Sequence, residues 1–377
     1  MYKRLFVCGD IVNQFFNDQF IDSSLISVIK SADHAIANFE GVLSLDVKIR
    51  DEMTQDITTL TSLMDAGFDT FLLANNHITD YGLKAMLHTI DSICEKGLNY
   101  LGAGVCYEDV YKPLVLDEQI VLLNICEAHP HYYHDKEQKY GFAWLGDVNL
   151  GIRIKKLKLY YSKLIIFVHA GLEHYECPLK FYRDFYRNLC DLGADAVIAA
   201  HPHIAQGIEY YGDKLICYSL GNFFFPRERN ADYKSDRENS SYSLFLDIME
   251  DSIKYELVYH RIENGKVCRV SKNDSYISIE TLNNLLNKDY DINHINMINQ
   301  SYNLLVKQLY RQSLNSIDAN DSLVVKLKET LKYLFFKKKF FGNIEYKNRT
   351  LTHLINNETY RAVINAKFAQ DYAREYE

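Results

Sequence analysis

The sequence predicts an α/β fold in which helices pack on a sheet, and three observations carry that expectation. Short apolar runs alternate with helical stripes through residues 1–225. Five of those runs end on a polar group able to bind a metal. From about residue 226 the pattern changes to apolar–polar alternation and then to a polar, helix-like tail. Fully apolar runs of four to seven residues suit central strands covered on both faces, and their alternation with helices suits an α/β sheet.

Taken in order, Leu5–Cys8 is a strand that ends at Gly9-Asp10. Ser24–Ser31 is helical and His34–Phe39 is a strand. Thr58–Ala66 is helical, and Thr70–Ala74 is a strand. Tyr81–Lys96 is a longer helix with its apolar stripe at Leu83, Met86, Leu87, Ile90 and Ile93. Ile120–Cys126, Leu164–Val168 and Ala196–Ala199 are further buried strands. Arg227–Ser241 is charged and reads as a loop. Tyr242–Val270 alternates apolar and polar residues, as antiparallel strands completing the sheet do. Residues 274–377 are rich in Asn, Lys and Tyr and mostly helical in pattern. The expected division is therefore a main domain over 1–272 and a helical extension over 273–377.

The bulk properties narrow the function. With 377 residues, 47% hydrophobic and 24% charged, the chain can bury a sizeable core. A net charge of −8 argues against a nucleic-acid partner, which a basic face would attract. It leaves room for a local cationic cleft and an anionic small molecule or polymer as substrate. Met1-Tyr2-Lys3-Arg4 leads straight into the first strand, with no signal-peptide core or membrane-spanning run, so the expected location is cytoplasmic. The eight cysteines include no Cys-x-x-Cys pair and read as free, mostly buried thiols of a reducing compartment.

The chemistry gathers at strand ends. Asp10, Glu40, Asn76-His77, His169 and His201 each stand at or just past the C-terminal end of an apolar run, and His203 follows in His201-Pro202-His203. Ligands of α/β sheets bind outside the carboxyl ends of strands. Singly, each residue has a plainer reading. Asp10 suits a turn, Glu40 a solvated surface, Asn76 a helix cap and His169 a satisfied core position. Together, at successive strand ends, they read as a divalent metal centre of one or two ions, with manganese, iron or zinc as candidates. A carboxylate such as Glu40 can bridge two ions, and such a pair can activate water. In a loop, His201 and His203 can both converge on such a centre.

The order Gly9-Asp10, Asn38-Phe39-Glu40, Ala74-Asn75-Asn76-His77-Ile78-Thr79-Asp80-Tyr81-Gly82, His169-Ala170-Gly171-Leu172-Glu173, His201-Pro202-His203 and Tyr218-Ser219-Leu220-Gly221-Asn222-Phe223 resembles the CapA-like poly-γ-glutamate capsule biosynthesis family. The resemblance covers roughly residues 3–225. It implies a calcineurin-like metallophosphoesterase sandwich, two sheets flanked by helices. It also implies metal ligation by Asp10, Glu40, Asn76, His169, His201 and His203. His77 would be a general acid or transition-state stabiliser oriented by Asp80, Glu173 would touch metal or substrate, and Lys48 would meet a substrate anion. The Asp-x-His of ordinary phosphoesterases is Asp10-Ile11-Val12 here, and the chain has Ala170 and Ala199-Ala200 at positions where the family commonly differs.

Glu127, at the end of Ile120–Cys126, is a further candidate at the rim of the cleft, and His129, His131 and His134 follow it. They read either as a rim loop or as a separate metal cluster. Lys326–Phe341 is basic and apolar together, which suits either a peripheral membrane contact or a helix packed on the main domain with wet lysines. The expected function is a metal-dependent hydrolase in capsule, exopolysaccharide or polyglutamate synthesis. Its alternatives are an accessory binding protein for polyanionic polymer synthesis and a scaffold whose tail recruits a partner.

Overall fold

The computed structural model describes residues 2–14, 17–45, 53–128, 139–226, 236–287, 290–306 and 353–375. In chain order its strands are β1 (Lys3–Ile11), β2 (His34–Phe39), β3 (Val42–Leu43), β4 (Thr54–Gln55), β5 (Thr70–Leu72), β6 (Asn99–Leu101), β7 (Ala103–Gly104), β8 (Leu114–Asp117), β9 (Ile120–Cys126), β10 (Gly141–Phe142), β11 (Lys163–His169), β12 (Ala196–Ala200), β13 (Ile208–Tyr211), β14 (Lys214–Cys217), β15 (Asn222–Phe224), β16 (Ser240–Ile248), β17 (Ile253–Glu263) and β18 (Lys266–Arg269). The helices are α1 (Ser23–Ile29), α2 (Ile57–Ala66), α3 (Gly82–Glu95), α4 (Tyr107–Val110), α5 (Leu150–Tyr160), α6 (Lys180–Leu192), α7 (Asp236–Asn239), α8 (Ile279–Leu285), α9 (Tyr290–Ser301) and α10 (Glu358–Glu375).

Two mixed sheets dominate. The first runs β18-β17-β16-β1-β2-β5-β6, with β15 also paired to β1, and the second runs β13-β14-β12-β11-β9-β8. β1, β2, β5 and β6 are parallel, as are β9, β11, β12 and β14. The antiparallel strands expected from the alternation over Tyr242–Val270 are β16 to β18, which extend the first sheet beside β1.

The period-two pattern of β1 explains the layering. Leu5 and Val7 face the second sheet and share a core with Ile36, Leu122, Ile165, Phe167 and Ile198. Phe6 and Cys8 face the other way, against Leu25 and Ile29 of α1, Leu60 and Leu63 of α2 and Met86 and Ile90 of α3. On the far side, α5 packs on β11 and α6 on β12. The result is a sandwich of two sheets with helices outside, the architecture the resemblance implied. Local signals fix the helix ends. Asp22 and Asp56 cap α1 and α2 by accepting from Ser24 N and Thr58 N, each at 2.9 Å, and Gly67 ends α2 at φ 104°.

One part of the pattern differs. Residues 236–241, expected as the end of a charged loop, form α7 and the first residues of β16, where Ser240 and Ser241 pair with Arg261 and His260. Cross-strand pairing with β17 overrides the local polarity. Residues 227–235 lie outside the described residues, as do Lys48, His129, His131, His134 and the run 326–341. All eight cysteines are free, and five are buried.

The described residues form two compact units, Met1–Asn293 and His294–Glu377. The first includes α8, which packs on β13. Within the second, Tyr302 and Phe368 meet edge to face at 6.2 Å, bringing the turn Tyr302–Val306 onto α10. Among the described residues no helix is long and apolar enough to cross a membrane.

Asp195, just before β12, ties the bottom of the second sheet. It accepts from Lys158 at 2.7 Å, Lys214 at 3.1 Å and the Leu164 N–H at 2.8 Å. Asp195→Ala leaves a buried N–H and two converging ammonium groups without their acceptor. The expected loss is about 3 kcal/mol, read as a drop in the urea midpoint at constant m-value.

Candidate metal centre

The parallel strands of both sheets point their carboxyl ends at one place. Asp10 lies near the end of β1, and Glu40 directly follows β2. Asn76 and His77 follow β5, Glu127 follows β9, His169 ends β11, and His201 follows β12. Asp10, Glu40, Asn76, Glu127, His169, His201 and His203 are all buried. Glu40, the lone surface carboxylate of the plainer reading, has no exposed area. Asn76 caps nothing, because α3 begins only at Gly82.

The donor atoms converge. His169 Nε2 is 2.9 Å from Asn76 Oδ1, 3.1 Å from His201 Nδ1 and 3.7 Å from Glu40 Oε1. Asp10 Oδ1 is 3.8 Å from His169 Nδ1, and its Oδ2 is 3.4 Å from His203 Nδ1. Glu40, His201 and His203 each offer a ligand atom within 4.8 Å of the others. The structure thus brings the six expected ligands into one cluster drawn from both sheets.

His201 and His203 do converge, with ring centroids 5.8 Å apart. Their segment is a loop in which both residues adopt the left-handed region, at φ 98° and 61°. That conformation costs a non-glycine residue about 1 kcal/mol or more, and such strain concentrates at functional sites.

Neighbouring groups hold the cluster in place. Asn38 donates to Asp10 Oδ1 and lies 3.1 Å from His169 Nδ1. Asn222 Oδ1 is 3.0 Å from His203 Nδ1. Asp10 Oδ2 also accepts from the His201 N–H at 3.2 Å. Below Glu40, Gln55 donates to the Glu40 carbonyl at 2.8 Å, and Asn75 donates to the Phe39 carbonyl at 2.9 Å. Glu127 accepts from Tyr182 and from the Gly171 N–H, while its other oxygen lies 3.6 Å from His201 Nε2. Asn38 and Asn222 lie in motifs visible in the sequence. Gln55 and Tyr182 carry no such signal, since only the fold brings them to the site.

His77 stands beside the cluster. Its Nδ1 is 2.6 Å from Asp80 Oδ2, and its Nε2 is 3.9 Å from Glu40 Oε1. Glu173 lies at the mouth, 43% exposed, with one oxygen 3.9 Å from His201 Nε2. Partial loss of water works to raise its carboxyl. The bond to His174 and the neighbouring His203 and His201 rings outweigh that and hold it well below the usual carboxylate range. His174 bridges Glu173 at 3.4 Å and Glu238 at 3.1 Å. Burial works to lower its ring, but the two carboxylates prevail and push it up to about 9.

Electrostatics suit a cation. Burial, with the His201 and His203 rings close by, holds His169 well below its ordinary value, and burial brings His201 down to about 4. Uncharged imidazoles are the form that ligates metal. Two buried carboxylates sharing a pocket are costly without a positive charge among them. An amide oxygen, two carboxylates and three imidazoles therefore fit a divalent ion of borderline hardness.

The same shifts set an acid limit. His201 and His260, which burial brings down to about 3, bind protons more readily unfolded than folded. Their contribution is fully present above pH 6.5 and is lost as pH falls toward 4 and 3, at about 1.4 kcal/mol per histidine per pH unit. In chelator, the thermal midpoint should fall steeply below about pH 6.5; a flat profile from there to about pH 4.5 would contradict it.

A family model described as bacterial capsule synthesis protein PGA_cap matches residues 5–227. Capsule biosynthesis protein CapA of Bacillus anthracis is 31% identical over 233 residues, covering 58% of this chain and 56% of that protein. PGA biosynthesis protein CapA of Bacillus subtilis (strain 168) is 26% identical over 210 residues, covering 53% and 55%. The chain spans about half the length of the curated relatives it matches. Among solved structures, TT1561 of Thermus thermophilus matches at 9% identity and a TM-score of 0.39, covering 68% of this chain and 99% of that one.

Proposed function

Because the chain belongs to the bacterial capsule synthesis protein PGA_cap family, we propose that it is a metal-dependent hydrolase of phosphoesterase type acting in the synthesis of a capsular or polyglutamate polymer. The observation that supports this reading is the meeting of Asp10, Glu40, Asn76, His169, His201 and His203 in one buried cluster at the carboxyl ends of two sheets. These six residues would hold one or two divalent ions, of manganese, iron or zinc. Such ions supply a Lewis acid and lower the pKa of a water.

The chain's own groups do the rest. Asp80 accepts from His77 Nδ1 and so fixes the ring, leaving Nε2 toward the cluster to deliver a proton to a leaving-group oxygen. Glu173 marks the open side, where an anionic substrate enters. Burial of Glu127, Asp10 and Glu40 excludes bulk water from the floor.

Elemental analysis of protein purified without chelators, followed by assays on phosphomonoesters, phosphodiesters and γ-glutamyl peptides, tests the proposal. Bound divalent metal and turnover that chelation abolishes and metal restores are expected. A sample that binds no metal would refute it. A second reading, a metal-dependent binding protein without turnover, draws on Val12. It is buried against Met53 and Phe225 where the Asp-x-His pattern would place another imidazole. Metal-dependent retention of polyglutamate with no cleavage in any assay selects it.

A further inference from the structure

We infer that the outer face of α5 is a docking surface for an anionic lipid bilayer. Ile152 and Leu159 would enter the headgroup layer, and Lys155 and Lys156 would face its phosphates. The helix reads Leu-Gly-Ile-Arg-Ile-Lys-Lys-Leu-Lys-Leu-Tyr, with four basic residues and no acidic one, in a chain of net charge −8. Leu150 and Ile154 turn inward and are buried. On the opposite face Ile152 is 69% exposed, Leu159 81% and the preceding Val148 88%. Positions 152, 155, 156 and 159 recur at helical spacing within α5, so Ile152, Leu159 and the two lysines share one stripe.

The charges on that stripe are available. Arg153 is held by Glu108 at 3.5 Å, and Lys158 by Asp195 at 2.7 Å. Lys155 and Lys156 make no ion pair among the described residues. At the C-terminal end of the helix, Lys156, Arg153, Tyr160 and Tyr161 line a groove of about 390 Å³. Lys156 beside two tyrosines suits a lipid phosphate at the depth where amphipathic aromatics settle.

Size favours a bilayer over a protein partner. An eleven-residue helix is about 16 Å long. A strip that long and about 10 Å wide offers on the order of 160 Å², against about 800 Å² per partner in a stable protein interface. A bilayer needs only a few inserted apolar side chains and a basic flank.

The test is co-sedimentation of the full chain with phosphatidylcholine vesicles, with and without about 30% phosphatidylglycerol, an ordinary anionic fraction for such work. Binding to the anionic vesicles that weakens as salt rises is expected. Ile152→Ser with Leu159→Ser should abolish it, and Lys155→Gln with Lys156→Gln should weaken it about 30-fold. All four side chains are solvent-facing, so both variants should keep the wild-type thermal midpoint. Four results overturn the inference: no binding by wild type, equal binding to neutral vesicles, unchanged binding by both variants, or competition by soluble glycerol phosphate. A dimer that Leu159→Ser dissolves assigns the face to a second copy instead and overturns it equally.

Discussion

His201→Ala is expected to weaken divalent-metal binding by at least about 100-fold and to take hydrolysis to background. The ring sits at the crossing of the cluster. Its Nδ1 is 3.1 Å from His169 Nε2, and its Nε2 is within 3.6 Å of Glu127 and 3.9 Å of Glu173. Replacing groups that merely orient a ligand costs about 10–100-fold in affinity or activity, so loss of a donor itself costs at least that. Alanine at φ 98° keeps the backbone strain that histidine bears there. Metal titration followed calorimetrically, beside circular dichroism, separates lost ligation from lost folding. Wild-type metal affinity in a folded variant would remove His201 from the centre and the proposed function with it.

Gly9→Ala is expected to cost more than about 4 kcal/mol, the range reserved for a few identifiable mechanisms. A Cβ at Gly9 would lie 1.8 Å from the Gly221 carbonyl oxygen. That same oxygen accepts from the Asp10 N–H at 3.1 Å, so it cannot move away without breaking the bond that seats Asp10. Gly221 itself has no room to shift. It sits at φ 70°, and any Cβ there would meet Ser241 Oγ at 2.3 Å and Ala205 N at 2.8 Å. Gly82→Ala is the control. It has a positive φ of 76° but open space around it, so only the backbone strain applies, about 1 kcal/mol. Urea unfolding of the two variants should therefore differ severalfold in effect. A Gly9→Ala protein within about 1 kcal/mol of wild type would show that the close approach is not obligatory.

Much of this was legible in the chain because the relevant signals are local. Apolar runs such as Ile120–Cys126 and Leu164–Val168 marked strands buried on both faces, and Asp10, Glu40, Asn76, His169 and His201 marked strand ends without reference to any partner. The division into two sheets was not local. Nothing in the composition of Lys3–Ile11 says that it pairs with the distant β16 rather than with β9. Register between distant strands is decided by packing, and a single sequence does not display it. The supporting groups were hidden for the same reason. Tyr182 looks like one aromatic of an amphipathic helix until the fold lays its hydroxyl on Glu127. Beside Glu173 in the sequence His174 shows no second partner, because Glu238 comes from the far side of a long connection. The Arg227–Ser241 reading failed at its end because pairing of Ser240 and Ser241 with β17 outweighs their polarity.

The order in which the polypeptide weaves through the two sheets has a consequence for its biogenesis. Sheet one receives β1, β2, β5 and β6, the chain then lays down all of sheet two, and only afterwards returns with β15 to β18 to flank β1. On a ribosome, the half-cluster of Asp10, Glu40 and Asn76 emerges long before its three histidine partners and before β1 has its neighbours on that side. The full set of six side chains is complete only once His203 has been translated, so a nascent chain should pass through a stage in which the early carboxylates stay hydrated. A cation held there would join the loops after the early strands of the first sheet to those after β11 and β12 of the second.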